Sequence, residues 1–163
     1  MRIGLVSDSH GRLDCLETAV SQMGNVDVIL HMGDCIDDAR QIRSWTNAPV
    51  FMVKGNMDVY EEGHEEGHLQ IKTELGGKSV MICHGHRYNV KGGYQTLRYK
   101  ALEEGVDIVA FGHTHVPMID QSPELLMINP GSVALPHIGG EKTFGIVTIE
   151  GDEISAEIKP LQF

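Results

Sequence analysis

Cysteine is scarce in this chain: Cys15, Cys35 and Cys83 are the only three in 163 residues. An odd, sparse set without framework spacing excludes a disulfide-stapled scaffold and reads as reduced thiols in a cytosol. Basic residues are also few. Lys and Arg total 13 against 23 Asp and Glu, giving a formal net charge of −10 at pH 7. A duplex nucleic-acid binder needs a basic surface to neutralise phosphates, so that class is disfavoured, and a nuclease with it. A phosphate-processing enzyme is not excluded, because a bound metal supplies positive charge locally. Long apolar runs are missing too. The opening run, Met1 to Val6, stops at Ser7-Asp8, too soon for a signal peptide or a membrane span. No later run is long enough to cross a bilayer. The expectation is a soluble, cytoplasmic protein with no membrane partner. Repeats, low-complexity tracts and linkers are lacking as well.

What remains is ordinary for a globular protein. Hydrophobic residues are 41% and charged residues 22%, enough to build a core. A length of 163 suits one domain and is short for two, so residues 1–163 read as a single domain.

The first half alternates strand and helix. Arg2 to Ser7 is an apolar strand. Leu13, Leu16, Val20 and Met23 recur at helical spacing, with Gly24 as C-cap. Val26 to His31 is a second strand, and Asp37 or Asp38 caps a short helix running to about Trp45. Pro49 ends that element, and Val50 to Val53 is a third strand. This βαβαβ rhythm predicts a parallel sheet with right-handed crossovers. In the second half, Leu69 to Leu75 and Ser79 to Cys83 flank Gly76-Gly77 as a hairpin. Tyr94 to Glu104 is a helix closed by Gly105, and Asp107 to Phe111 is a buried strand. Leu125 to Ile128, Phe144 to Glu150 and Ile154 to Lys159 are expected as antiparallel strands. The sum is an α/β sandwich of two mixed sheets with helices outside.

Five short motifs carry the chemistry: Asp8-Ser9-His10, Gly33-Asp34, Gly55-Asn56-Met57-Asp58, His84-Gly85-His86 and Gly112-His113-Thr114-His115. Several directly follow a strand, where open α/β sheets place their ligands. Asp8 and His10 are two apart, as are His113 and His115, and in an extended segment such pairs point the same way. Asp34 has two oxygens and follows a glycine, so it can bridge two ions. Asn56 offers a neutral carbonyl oxygen. Carboxylates with imidazoles suit Mn²⁺, Fe or Zn²⁺ better than Mg²⁺ or Ca²⁺. Singly, each motif is an ordinary turn or a solvated histidine. Together and in order they point to two metal ions that bind a phosphate and make a hydroxide to attack it.

The ordered set D-x-H, G-D, G-N-x-D, H-G-H and G-H-T-H resembles that of the calcineurin-like metallophosphoesterases. The short chain, the early G-D motif and the Asn129-Pro130-Gly131-Ser132 turn resemble the family's small, single-domain phosphodiesterase branch. The resemblance covers almost the whole chain and implies a four-layer αββα sandwich with a two-metal site. It implies one metal held by Asp8, His10, Asp34 and His115, and the other by Asp34, Asn56, His84 and His113, with Asp34 bridging. The cofactors implied are two divalent ions, Mn²⁺ foremost, with Fe, Zn²⁺ or Ni²⁺ as alternatives. His86 is expected near the site, as a catalytic residue, because the family pattern keeps it. Asn56 and Arg87 are expected to touch a small phosphodiester substrate, and Tyr88 could join them. Many family members have a leaving-group histidine where this chain has Met57, which cannot donate a proton.

Two rival readings are a phosphomonoesterase and a non-catalytic scaffold. The fold also resembles a retromer scaffold subunit, whose metal site is degraded. The complete ligand set here favours the enzyme. His64-Glu65-Glu66-Gly67-His68 matches the H-E-x-x-H protease motif, but that motif works on a helix, and Gly63 and Gly67 flank or interrupt it. It is read as a polar loop, with a homo-oligomer contact as one use. Cys35 and Cys83 are read as small buried hydrophobes and His31 as a strand-end packing residue. The loop residue His137 is left open.

Overall fold

A computed structural model describes residues 1–58 and 67–163. The apolar run Arg2–Val6 forms β1. Leu13–Met23 forms α1, burying Cys15, Leu16, Ala19, Val20 and Met23 at i, i+3 and i+4 spacing, and Gly24 ends it at φ 66°. Val28–His31 forms β2, Ile36–Gln41 forms α2, a 3₁₀ turn follows at Ile42–Ser44, and Val50–Met52 forms β3. The three strands pair in parallel, as the βαβαβ rhythm predicts.

The hairpin is β4, Gln70–Leu75, with β5, Lys78–Cys83. Gly76 and Gly77 both take positive φ, 58° and 80°, which a two-residue hairpin turn of matching twist requires. Gln95–Glu103 forms α3 and Ile108–Ala110 forms β6. Met118–Gln121 forms β7, Leu126–Asn129 β8, Thr143–Glu150 β9 and Glu153–Pro160 β10.

The strands build two five-stranded mixed sheets, ordered β10-β9-β1-β2-β3 and β4-β5-β6-β8-β7. Alternation along each strand feeds three apolar layers. Ile3, Leu5, Val28 and Leu30 meet Val80, Ile82, Ile108 and Ile128 between the sheets. Val6 and Ile29 face the other way, onto Leu16, Ala19 and Met23 of α1. Met81, Cys83, Val109 and Met127 pack on Leu97 and Ala101 of α3. The order is therefore helix, sheet, sheet, helix: a four-layer αββα sandwich.

Three expectations need correcting. Asp37 and Asp38 sit inside the first turn of α2; the cap residue is Cys35, at φ 72° and with no side-chain cap of its own. The caps come from outside, from Asp58, whose Oδ1 accepts the Cys35 and Ile36 N–H groups. β8 is antiparallel only to β7 and runs parallel to β6. β7 itself is absent from the sequence reading. It is a short edge strand with three of its four residues exposed, so it shows no apolar alternation.

His64, Glu65 and Glu66 lie outside the described residues. His68 forms a parallel bridge with Val53, which is extended rather than helical backbone. No helix among the described residues is long and apolar enough to cross a membrane.

Candidate metal centre

Asp8 and His10 follow β1, Asp34 follows β2 and Asn56 follows β3. His84 follows β5, and His113 and His115 follow β6. These are the carboxyl ends of parallel strands, where the loops of both sheets meet. The segments are not extended, contrary to the i, i+2 expectation. Asp8, His10, Asp34, His113 and His115 all take left-handed backbone, at φ 56°, 46°, 59°, 71° and 58°. Such conformations cost energy in residues other than glycine and persist where surrounding contacts enforce them. Sharp turns, rather than strand pleat, aim these side chains.

Two groups result. Asp8, His10 and His115 bring their ligand atoms within 4.8 Å of one another, and so do Asp34, His84 and His113. His115 Nε2 lies 3.1 Å from Asp8 Oδ1 and 3.3 Å from His10 Nε2. His84 Nε2 lies 3.4 Å from Asp34 Oδ2, 3.1 Å from Asn56 Oδ1 and 3.1 Å from His113 Nδ1. The groups adjoin: His10 Nε2 is 3.7 Å from Asp34 Oδ2, and His84 Nε2 is 3.8 Å from Asp8 Oδ1. The structure thus brings all seven sequence-predicted ligands together.

Hydrogen bonds fix how the rings face. His84 Nδ1 donates to Met32 O at 2.6 Å, and His115 Nδ1 donates to Leu135 O at 2.5 Å. Each Nε2 is left to present a lone pair inward, as in metal-bound histidines. Among the described residues, Asp8 Oδ1 is buried with no hydrogen-bond partner, while Oδ2 takes the Ser7 hydroxyl at 2.5 Å and the His113 N–H at 3.1 Å. Carboxylate oxygens, an amide oxygen and bare ring nitrogens therefore converge. Without a cation or a proton between them, such lone pairs repel. The donor set fits divalent metals of the carboxylate–imidazole type.

The titration behaviour agrees. Burial works against ionisation of Asp34, yet the adjoining His84 holds its carboxyl down at about 2. Asp8 is also held below the usual carboxylate range, by His115 and His84, against its burial. Burial disfavours the charged His84 ring, but Asp34 and then Asp8 raise its pKa above the ordinary value. The adjacent Asp8 carboxylate raises that of His115. His113 falls to about 4, through burial first and the His84 charge second.

A supporting shell surrounds this centre. Ser132 Oγ donates to Asp8 O at 2.8 Å, and Asn129 Nδ2 donates to Gly112 O at 2.9 Å. His31 is fully buried: its Nδ1 accepts the Gly33 N–H at 3.2 Å, and its Nε2 faces Ser9 Oγ at 3.2 Å. It packs at a strand end as predicted, but it also ties two ligand loops together. Sequence reasoning gave no role to Asn129, Ser132 or Asp58, although Asx and Ser residues beside glycines are turn-formers by type.

His86 sits beside the centre, its ring 5.4 Å from that of His84 and 6.0 Å from that of His113. Its Nδ1 is buried and has no partner among the described residues, and burial lowers its pKa. Arg87 is exposed at the same turn. Tyr88 packs against the α3 layer and gives its hydroxyl to Gln70. Cys83 is buried, which pushes its thiol up to about 12. Cys35 is only half-buried and serves as the α2 cap, so it is not simply a small core residue. His137 is exposed, in the loop that covers His115.

The chain has known relatives in sequence and fold. The sequence matches the calcineurin-like phosphoesterase superfamily domain over residues 1–152, and the chain belongs to that superfamily. Phosphodiesterase YfcE of Escherichia coli K12 is 34% identical over 169 residues, covering 90% of this chain and 87% of that one. A predicted phosphoesterase of Streptococcus pneumoniae TIGR4 has a crystal structure of TM-score 0.78 and 30% identity, covering 98% of this chain and 88% of that one. Vacuolar protein sorting 29 of Cryptosporidium parvum also gives a TM-score of 0.78, at 16% identity over 99% of this chain and 91% of that one. So distant a likeness shows the fold alone.

Proposed function

We propose that residues 1–163 form one metallophosphoesterase domain that hydrolyses small phosphodiesters at a two-metal centre. The observation that carries this reading is the inward convergence of bare Nε2 atoms on the carboxylates, above all on the unpartnered Asp8 Oδ1. One ion would be held by Asp8, His10, Asp34 and His115, and the other by Asp34, Asn56, His84 and His113. Mn²⁺ is the first choice for this donor set, ahead of Fe, Zn²⁺ and Ni²⁺. When bound, the pair would supply a hydroxide nucleophile and positive charge for the phosphate oxygens.

The protein's own part is to aim and insulate. Backbone carbonyls hold His84 and His115 in the ligating tautomer. Asn56 and Arg87 orient the substrate, and His86 stands beside the reacting group. A diester is favoured over a monoester by charge. Two divalent ions, less two aspartates and a hydroxide, leave a single positive charge, which a monoanion neutralises. The phosphodiesterase name carried by the Escherichia coli relative supports the same choice.

A non-catalytic scaffold is the rival, and the fold it shares with vacuolar protein sorting 29 is compatible with it. The intact ligand set favours the enzyme. The test is hydrolysis of an aryl phosphodiester. Chelation should abolish turnover and Mn²⁺ should restore it, while Asp34→Asn should stay folded and nearly inactive. Undiminished turnover after exhaustive dialysis against chelator sinks the proposal.

A further inference from the structure

Asp58 is buried, 2% exposed, yet belongs to neither ligand group. Its carboxylate accepts four backbone N–H groups. Oδ1 takes those of Cys35 at 2.9 Å and Ile36 at 2.8 Å. Oδ2 takes those of Asp34 at 3.0 Å and Gly55 at 2.8 Å. Two of these donors lie in the turn after β2, the third opens α2, and the fourth lies in the turn after β3. One side chain thus clamps the two turns that carry Asp34 and Asn56.

The clamp answers two local problems. Asp34 and Cys35 are consecutive left-handed residues, φ 59° and 72°, and their N–H groups converge into a concave, anion-accepting nest. The carboxylate of Asp58 fills that nest and holds the strained turn in place. The two turns also approach very closely. A Cβ on Gly33 would come within 2.7 Å of the Gly55 nitrogen, and one on Gly55 within 2.5 Å of the Asp34 nitrogen. Glycine permits the approach, and Asp58 enforces it. The Asp34 side chain is drawn to the same turn, its Oδ1 accepting the Met57 N–H at 3.1 Å.

We propose that Asp58 is a positioning residue for the metal centre: by clamping the Asp34 and Asn56 turns together, it sets the affinity of the Asp34, His84 and His113 cluster without touching an ion. This rests on the two-metal reading above. Asp58→Asn preserves size but turns an NH₂ group toward N–H donors. Asp58→Glu keeps the charge and shifts the carboxylate by one carbon.

The test is a Mn²⁺ titration followed by calorimetry, on the wild type and both variants, with the melting temperature of each metal-free protein. The expected result is two sites in the wild type. In Asp58→Asn, both sites weaken because Asp34 serves both, and the one that also uses Asn56 weakens more, roughly 10–100-fold. Asp58→Glu should weaken the same site by less. If both variants melt lower but keep both wild-type affinities, Asp58 serves the fold and the proposal is overturned. Failure of both variants to fold overturns it in the same way. A wild type that binds no Mn²⁺ overturns the two-metal reading first, and this inference with it.

Discussion

Met57 stands where many relatives are expected to keep a leaving-group histidine, and its place in the structure sharpens the consequence. The residue is 53% exposed, and its contribution to the centre is a backbone N–H given to Asp34 Oδ1. Its thioether has no proton to give. A positioned acid typically contributes about 10²–10⁴-fold. Rates should therefore fall steeply as the leaving-group pKa rises, with nitrophenyl diesters turning over readily and simple alkyl diesters poorly. A series of aryl and alkyl diesters, plotted as log rate against leaving-group pKa, checks this. A flat plot with chemistry rate-limiting would mean that another acid, His86 first among them, takes the role. His31 makes a second residue-scale prediction, for stability. Burial lowers its pKa from 6.5 to about 4, so the folded protein keeps the ring neutral. The unfolded chain takes up the proton first as pH falls. The stabilisation is thus fully present above about pH 6.5 and is lost as pH falls from there to about 4, at a cost on the order of 3 kcal/mol. Urea melts of the metal-free protein across that range should show the loss, and His31→Gln should flatten it. An equal slope in the variant refutes the assignment.

At the scale of elements, the decisive parts are the turns after β1, β2, β3, β5 and β6, because each strand ends where its ligand begins. Their spacing is set by glycines. A Cβ on Gly112 would come within 2.0 Å of Ser7 Oγ and 2.7 Å of Asp8 Oδ2. Gly112→Ala should therefore push the β6 turn away from the β1 turn. Overpacking of this kind costs about 1–3 kcal/mol, and displacing Asp8 should cost a further 10–100-fold in Mn²⁺ affinity. A urea melt and a metal titration on the same preparation separate the two effects. Wild-type affinity in a destabilised variant would show that the turn yields without moving the ligand. The exposed His68 belongs to a different part of the chain, bridged to Val53, and His68→Ala should leave the rate within a few fold.

For the molecule as a whole, charge and metal are coupled. The chain carries a formal −10, and Asp8 and Asp34 add two buried carboxylates at one point. Ions bound only by the folded state stabilise it by mass action. Mn²⁺ at about 100 times its dissociation constant should add roughly 2.7 kcal/mol. For a chain of this size that raises the melting temperature by roughly 5–10 °C. Because Asp34 and Asp8 raise the pKa values of His84 and His115, which must lose any proton to bind, uptake of Mn²⁺ should also release protons. Calorimetry in two buffers of different ionisation enthalpy reads that release. A melting temperature indifferent to Mn²⁺ would favour the scaffold.

The sequence alone determined the three helices and the strands of both sheets apart from β7, and it proposed the seven candidate ligands that the fold brings together. Those follow from local physics: apolar periodicity reports which face is buried, and glycine-flanked Asp, Asn and His mark turns. The exposed edge strand β7 carries no such pattern, so it was illegible. The parallel pairing of β8 with β6 was illegible too, since a strand's direction depends on a partner distant in the chain. The same holds within the site. Spacing two apart suggested that Asp8 and His10 share a direction through extended backbone, whereas left-handed turns aim them. Asp58, His31, Asn129 and Ser132 look like ordinary turn or strand residues in the sequence. Their roles arise only because residues 15 to 124 positions apart along the chain meet, as when Ser132 reaches Asp8 and Asn129 reaches Thr114. Which residues can hold a metal is a matter of side-chain chemistry and is written locally. What holds those residues in place is a matter of long-range contact, and only the packed sheets decide it.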